Sequence, residues 1–379
     1  MQFVRWTGSA AVRATTLLLA FSMASLVCAI PSQAWTFKTL HKFNGGAEGY
    51  GPGGLLWDAA NGNLYGVATY GGVVCHDDRY GSGCGVLFQL TPDGAETVLH
   101  TFGGGKDGMY PQGGLAKDDA GNIYGTTIEG GNLGTIFKLT PDGSYTVLHA
   151  FQGGDDGQAP GTRLLWDGAT QELYGTALST AFKITPDGKY SALHQFASYP
   201  YLAMDGHGHV YGVTTGGGDE RCNCGTAFAL SPQGDETVLY AFTRKSLGSP
   251  QGAPVVDARG NLYGAGYGRG MSGSIFRLNR KDEFKVLHRF KGTGEYQPWG
   301  ELVLDGTGSI YGTTGSCYPY GYGHCAIFQN QGKDNFQVLY TFPDQVVSYG
   351  GLIADPAGNL YGATYVANQS HSEVFELVK

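Results

Sequence analysis

Between residue 35 and the C-terminus, apolar and polar side chains alternate over short stretches bounded by glycine. Gly-Thr-Ile-Phe-Lys-Leu-Thr at 134–140 alternates with a period of two, which predicts a half-buried strand. Leu-Tyr-Gly-Val-Ala-Thr at 64–69 is short, aromatic and β-branched. Thr-Val-Leu-His-Ala-Phe at 146–151 and Gly-Gly-Leu-Ala-Lys-Asp at 113–118 complete a set of four strand types. We name them a (Gly-Leu-x-x-Asp), b (Leu-Tyr-Gly-Thr), c (Thr-x-Phe-x-Leu) and d (Val-Leu-His-x-Phe). No stretch after residue 34 has the length and 3.6-residue period of an amphipathic helix.

The links between these strands carry their own chemistry. Strand a runs to b through Asp-Asp-Ala-Gly-Asn at 118–122 and Asp-Pro-Ala-Gly-Asn at 355–359. Strand c runs to d through Thr-Pro-Asp-Gly at 91–94 and 140–143. Asp and Asn bond their own backbone and Gly takes positive φ, so both links predict tight hairpins. The b-to-c and d-to-a links vary in length. Up-and-down topology places both variable links on one face, where function is sought.

Tyr-Gly recurs in a fixed frame at Tyr65, Tyr124, Tyr174, Tyr211, Tyr263, Tyr311 and Tyr361, mostly about fifty residues apart. That period suits a four-stranded propeller blade. The c-strand phenylalanines, Phe88, Phe137, Phe182, Phe228, Phe276, Phe328 and Phe375, give the same count. The first segment after residue 34 is a strand d with no a, b or c before it, and the last segment stops after c. The expectation is an all-β, seven-bladed propeller spanning 35–379 as one domain. Its ring is closed by residues 36–43 pairing in the last blade.

These motifs, Gly-Asn-Leu-Tyr-Gly, Gly-Thr-x-Phe-x-Leu-Thr-Pro-x-Gly and Leu-x-x-Phe-x-Gly-Gly, resemble the GloVer (Gloeo/Verruco) tandem repeat family of bacterial extracellular proteins. The resemblance covers nearly all the chain from Thr36 onward. It implies a secreted, propeller-like protein and carries over no catalytic residue.

Residues 1–34 read as a signal peptide, with Arg5 and Arg13, an apolar stretch at 15–29 and Ser-Gln-Ala at 32–34. The predicted location is therefore secreted or periplasmic. No other stretch could cross a membrane. Removing the leader takes the formal charge from −8 to −10, because it carries two arginines and no acid. An acidic surface disfavours nucleic acid and anionic membranes. A monomer is expected.

Beyond Cys28 the cysteines form three local pairs, each within one b-to-c link: Cys75 with Cys84, Cys222 with Cys224, and Cys317 with Cys325. Disulfides pinning these loops fit an oxidising compartment. For Cys222 and Cys224, only one residue apart, a labile bond or free thiols remain alternatives. Metal binding by these cysteines is not expected, because no Cys-x-x-Cys appears.

His41, His100, His149, His194 and His288 share one position in strand d, where Tyr240 and Tyr340 fill the other blades. A position that takes His or Tyr reads as packing or a shared hydrogen bond. His207 and His209 fall in an a-to-b turn on the opposite face. The residues that do not repeat supply the candidate site. Ligand-binding candidates are Tyr70, Glu129, Asp219, Arg221, Tyr267, Arg269, Trp299, Tyr320 and Tyr365, since rings among charged groups suit sugars. Blade 3 has only Leu178, Ser179 and Thr180 to join b to c, which predicts a notch in the rim and a groove open to a polymer.

The favoured reading is a non-catalytic propeller that binds an extracellular glycan or protein through its long-loop face. An alternative is a polysaccharide lyase or hydrolase, with His76 or His324 as base, Tyr318 as acid and Arg79 neutralising a carboxylate. A second alternative is a metal-dependent lactonase-like hydrolase. No cofactor is required. Glu48, Asp107 and Asp155 or Asp156 recur in Phe-x-Gly-Gly-x-acid-Gly stretches and could hold Ca²⁺, but their spacing matches no EF-hand and favours turn formation.

Overall fold

Seven four-strand blades, each an antiparallel sheet in the order a-b-c-d, make up the described chain. The computed structural model describes residues 35–75, 81–244, 248–267, 273–291, 297–315, 325–332, 335–343, 346–348, 351–366 and 372–379. Blade 1 runs Tyr50–Trp57, Leu64–Tyr70, Val86–Leu90 and Glu96–Thr101. Blade 2 runs Met109–Lys117, Ile123–Glu129, Thr135–Leu139 and Tyr145–Ala150. Blade 3 has strand d at Tyr190–Gln195, blade 4 at Glu236–Ala241, blade 5 at Phe284–Phe290 and blade 6 at Phe336–Thr341. In blade 7, strand a is split into Val346–Ser348 and Ile353–Ala354, both pairing with strand b, Leu360–Val366.

The N-terminal strand Thr36–Phe43 supplies strand d of blade 7. It pairs antiparallel with Ser372–Val378, placing Phe37 opposite Leu377 and His41 opposite Val374. The first and last described strands thus share one sheet, and Thr36–Phe43 is its outermost strand.

The Tyr-Gly motif has a packing cause. The phenylalanine of strand c is fully buried in every blade. Its ring lies against the Tyr-Gly glycine of strand b, so a Cβ on Gly66, Gly125, Gly175, Gly212, Gly264, Gly312 or Gly362 would overlap the ring. The tyrosine reaches back to the turn that ends strand a. Its hydroxyl donates to Asp118 from Tyr124 (2.8 Å), to Asp257 from Tyr263 (3.1 Å) and to Asp305 from Tyr311 (3.0 Å). The same carboxylates accept backbone N–H groups of the turn, such as Asn122 to Asp118 at 2.8 Å. The repeated Asp, Asn and Tyr are therefore one turn-locking unit.

Strands c and d carry a bulge in every blade, for example between Leu87 and Phe88, opposite Val98 and His100. A bulge re-aims the side chain that follows it. Here the recurrent d-strand ring meets the first residue of strand d in the next blade. His100 stacks on Tyr145 at 3.7 Å, His149 on Tyr190 at 3.9 Å, and His288 on Phe336 at 3.9 Å. The reading of this position as packing holds in these blades.

Asp107 and Asp156 form turns, as their spacing favours. Each accepts from the backbone N–H four residues back (Gly103 N and Gln152 N, both 2.6 Å) and sits 3.0–3.2 Å from the Nε2 of His100 or His149. His207 and His209 lie exposed in the a-to-b turn of blade 4, with His209 Nδ1 2.9 Å from Asp205.

Candidate functional site

A cavity of about 580 Å³ lies on the axis of the ring, lined by the innermost segment of all seven blades, in or just before strand a. Tyr70 and Tyr365, at the ends of b strands, also line it, so it lies toward the face that carries the variable links. One column of the repeat accounts for most of its wall. The residue four positions before the turn aspartate is Gly54, Gly114, Arg163, Tyr201, Ala253, Glu301 or Gly351 in successive blades, and all seven line the cavity.

Two of these side chains meet across the axis. Arg163 of blade 3 pairs with Glu301 of blade 6, Nη2 to Oε2 at 2.9 Å. Glycine makes room for both: a Cβ on Gly114 would overlap Arg163, and one on Gly351 would overlap Glu301. The pair is half-buried, with side-chain exposures of 34% and 21%. The Nε of Arg163 is buried and has no acceptor. Burial, and then the charge of Glu301, raise the hydroxyl of Tyr201 above the usual phenol value. Burial and Tyr201 act in the same direction on Tyr267. Tyr70 stacks on Tyr50 with centroids 5.1 Å apart and meets Tyr110 edge-on at 5.8 Å. Tyr110 itself has φ of 56°, an unusual conformation for a tyrosine, and its backbone N–H donates to Cys84. Gln112 and Gln251 add amides to the wall.

The sequence candidates divide unevenly. Tyr70 and Tyr365 line the cavity. Tyr267 ends strand b of blade 5, and its hydroxyl feels Tyr201, though it is not part of the wall. Trp299 lies in strand a of blade 6, in register with Thr313 of strand b. Glu129 ends strand b of blade 2 and does not reach the cavity. Asp219 and Arg221 bond each other on an exposed loop, Arg221 Nη2 to Oδ2 at 3.0 Å, and also lie off the cavity. His76, Arg79, Arg269, Tyr318, Tyr320 and His324 lie outside the described residues. Blade 3 joins b to c through Leu178 and Ser179 alone, with Thr180 already in strand c.

Arg163, Tyr201 and Glu301 are not among the sequence candidates, most of which lie in or beside the links of variable length. The signal was present in strand a. A column that is Gly in three blades changes to Arg, Tyr and Glu in others, which packing of a repeat does not require.

Cys75 and Cys84 are disulfide-bonded, Cα atoms 6.1 Å apart. Cys222 and Cys224 are also bonded, at 5.2 Å. Cys325 is disulfide-bonded, and Cys317 lies outside the described residues. Tyr110, which meets the cavity residue Tyr70 edge-on, donates its backbone N–H to the carbonyl oxygen of Cys84. Among the described residues, no helix is long and apolar enough to cross a membrane. Away from the axis, the carboxyl of Glu96 is pushed up to about 7 by burial and by the charge of Glu48.

Fold and cavity define a seven-bladed β-propeller with an axial, mixed aromatic and charged pocket. The chain belongs to the Gloeobacter/Verrucomicrobia repeat family, which matches residues 73–201 and 199–378. No curated protein matches it. Among solved structures it is similar to a streptogramin B lyase, at 15% identity and a TM-score of 0.62, over 90% of this chain and 97% of that one. It is also similar to regucalcin, a calcium-binding protein from Agrobacterium tumefaciens, at 16% identity and a TM-score of 0.46, over 82% and 97%. A gluconolactonase from Xanthomonas campestris matches at 15% identity and a TM-score of 0.43, over 74% and 87%. At these identities the likeness concerns the fold alone.

Proposed function

We propose that this protein is an exported binding propeller that takes the end of a glycan into its axial cavity. The observation that carries this reading is the set of departures from glycine in strand a, Arg163, Tyr201 and Glu301, converging with Tyr70 and Tyr365 on one pocket. Its volume lies in the range of small-ligand sites, roughly 300–1,000 Å³. Tyrosine rings offer faces for sugar C–H groups, and their hydroxyls and the two glutamine amides suit sugar hydroxyls. Arg163 can meet an acidic sugar through two parallel N–H donors if Glu301 gives way. Among the described residues, the carboxylate that lines the cavity is Glu301, and it is already paired with Arg163. Two cysteine loops bonded on the ring agree with an oxidising compartment outside the cytoplasm.

The test is retention on a panel of neutral and acidic polysaccharides, with absorbance followed for new unsaturated ends. Retention without turnover is expected. Arg163→Ala and Tyr70→Ala should weaken it about tenfold or more, while Arg221→Ala, on its exposed loop, should leave it unchanged. Retention indifferent to both cavity variants would sink the reading, and unsaturated products would replace it with a lyase.

A further inference from the structure

The joint of blade 7 with blade 1 departs from the stacking that His100, His149 and His288 show. Where blades 2 and 3 begin strand d with Tyr145 and Tyr190, blade 1 has Glu96. Where Asp107 and Asp156 close the d-to-a turn, the preceding turn has the longer Glu48. His41, Glu48 and Glu96 consequently point at one another. Nε2 of His41 lies 3.7 Å from Glu96 Oε2 and 3.9 Å from Glu48 Oε2, and the three donor atoms all fall within 4.8 Å.

The protonation pattern makes this arrangement incomplete. Nδ1 of His41 is 3.1 Å from the carbonyl oxygen of Gly94. A carbonyl only accepts, so Nδ1 carries the hydrogen and a neutral ring turns the lone pair of Nε2 toward two carboxylates. Among the described residues no hydrogen-bond donor answers them. His41 Nε2, Glu48 Oε2 and Glu96 Oε1 are buried without a hydrogen-bond partner, and the Glu96 side chain is only 8% exposed. Among the described residues no lysine or arginine forms an ion pair with either glutamate. Carboxylate oxygens so placed, with the lone pair of Nε2 beside them, form a donor set open to a cation.

We propose that His41, Glu48 and Glu96 bind a divalent transition-metal ion of the zinc class, which ties the N-terminal strand to blade 1. One imidazole and two carboxylates form a donor set suited to Zn²⁺, with a position left for water, whereas Ca²⁺ prefers an all-oxygen shell. Tetrahedral zinc with bonds near 2.0–2.1 Å spaces its ligands by about 3.3–3.5 Å, so small side-chain movements would seat the ion. The bond from Nδ1 to a backbone carbonyl is the usual outer support of a metal-bound histidine. Glu48, 44% exposed, provides the way in. The ion would join strand d of blade 7 to the turn entering blade 1 and to strand d of blade 1, which is the joint where the ring closes.

Blade 4 supplies a control within the same chain. His194 has Nδ1 3.2 Å from Gly234 O and Nε2 3.5 Å from Glu236, without a second carboxylate. The test is calorimetric titration of the full chain, stripped with chelator, using ZnCl2, MnCl2 and CaCl2, together with thermal melts. One Zn²⁺ per chain is expected, with a melting temperature higher by about 3 °C or more at saturating metal. Glu96→Gln and His41→Gln should weaken binding at least tenfold, and His194→Gln should not. Glu48→Gln, at a half-exposed residue, gives the same readout if the other variants fold poorly. No binding, binding that survives the His41 and Glu96 changes, or a preference for Ca²⁺ would each overturn the proposal.

Discussion

At the scale of single residues, the structure separates two kinds of repeated side chain. The Tyr-Gly glycine is fixed by contact, because the buried phenylalanine of strand c occupies the place of its Cβ. Gly125 has no need of positive φ, so its substitution is a purely steric experiment. Gly125→Ala would drive a methyl into Phe137 and Leu115. A loss of about 1–3 kcal/mol is expected, read as a lower thermal midpoint. Gly143, whose added Cβ would meet nothing, is the contrasting site: its φ of 87° alone penalises alanine there. The d-strand histidines show the limit of reading a repeat. His100 and His149 stack on a tyrosine and face an aspartate, whereas His41 occupies the same sequence position among two glutamates. Identity at the position was legible. The neighbour from the next blade was not, because it lies about fifty residues away.

At the scale of elements, the a-to-b hairpin is the most regular device in the molecule. Burial would raise the carboxyls of Asp118, Asp257 and Asp305, but bonds from the turn backbone, Asn or Thr side chains and the tyrosine hydroxyl outweigh it and hold them below the usual carboxylate range. A depressed folded-state value means stability that is present above the unfolded value and lost as pH falls through the folded one. Thermal midpoints should therefore drop on acidification below about pH 4, the unfolded aspartate value. Asp118→Asn should melt lower at neutral pH and show a shallower acid dependence. An acid profile identical to the parent's would contradict the role given to this turn. The turn residues were readable in the sequence because their chemistry is local. Strand a was less so. Blade 5 keeps only Val255–Val256 as strand, and blade 7 splits its inner strand in two.

At the scale of the whole molecule, stability depends on one joint. Thr36–Phe43 completes blade 7 through pairing with Ser372–Val378, and Phe37 stacks on both Tyr340 of blade 6 and Phe375 of blade 7. Deleting residues 35–43 would expose the edge of Ser372–Val378. Association of the shortened chain is expected in size-exclusion chromatography, together with a broader, lower melting transition. A monomer with an unchanged melt would show that closure contributes little. Blade number, strand types, tight turns and the closing strand were legible along the chain, since they follow from short-range periodicity and turn chemistry repeated from blade to blade. Which side chains meet was settled by the folded ring. Arg163 and Glu301 lie 138 residues apart and face each other because the ring brings blade 3 opposite blade 6. His41 and Glu96 converge because the first strand is built into the last blade, beside the first. Such meetings bring together side chains far apart in the chain, and no short-range pattern encodes which residues they pair.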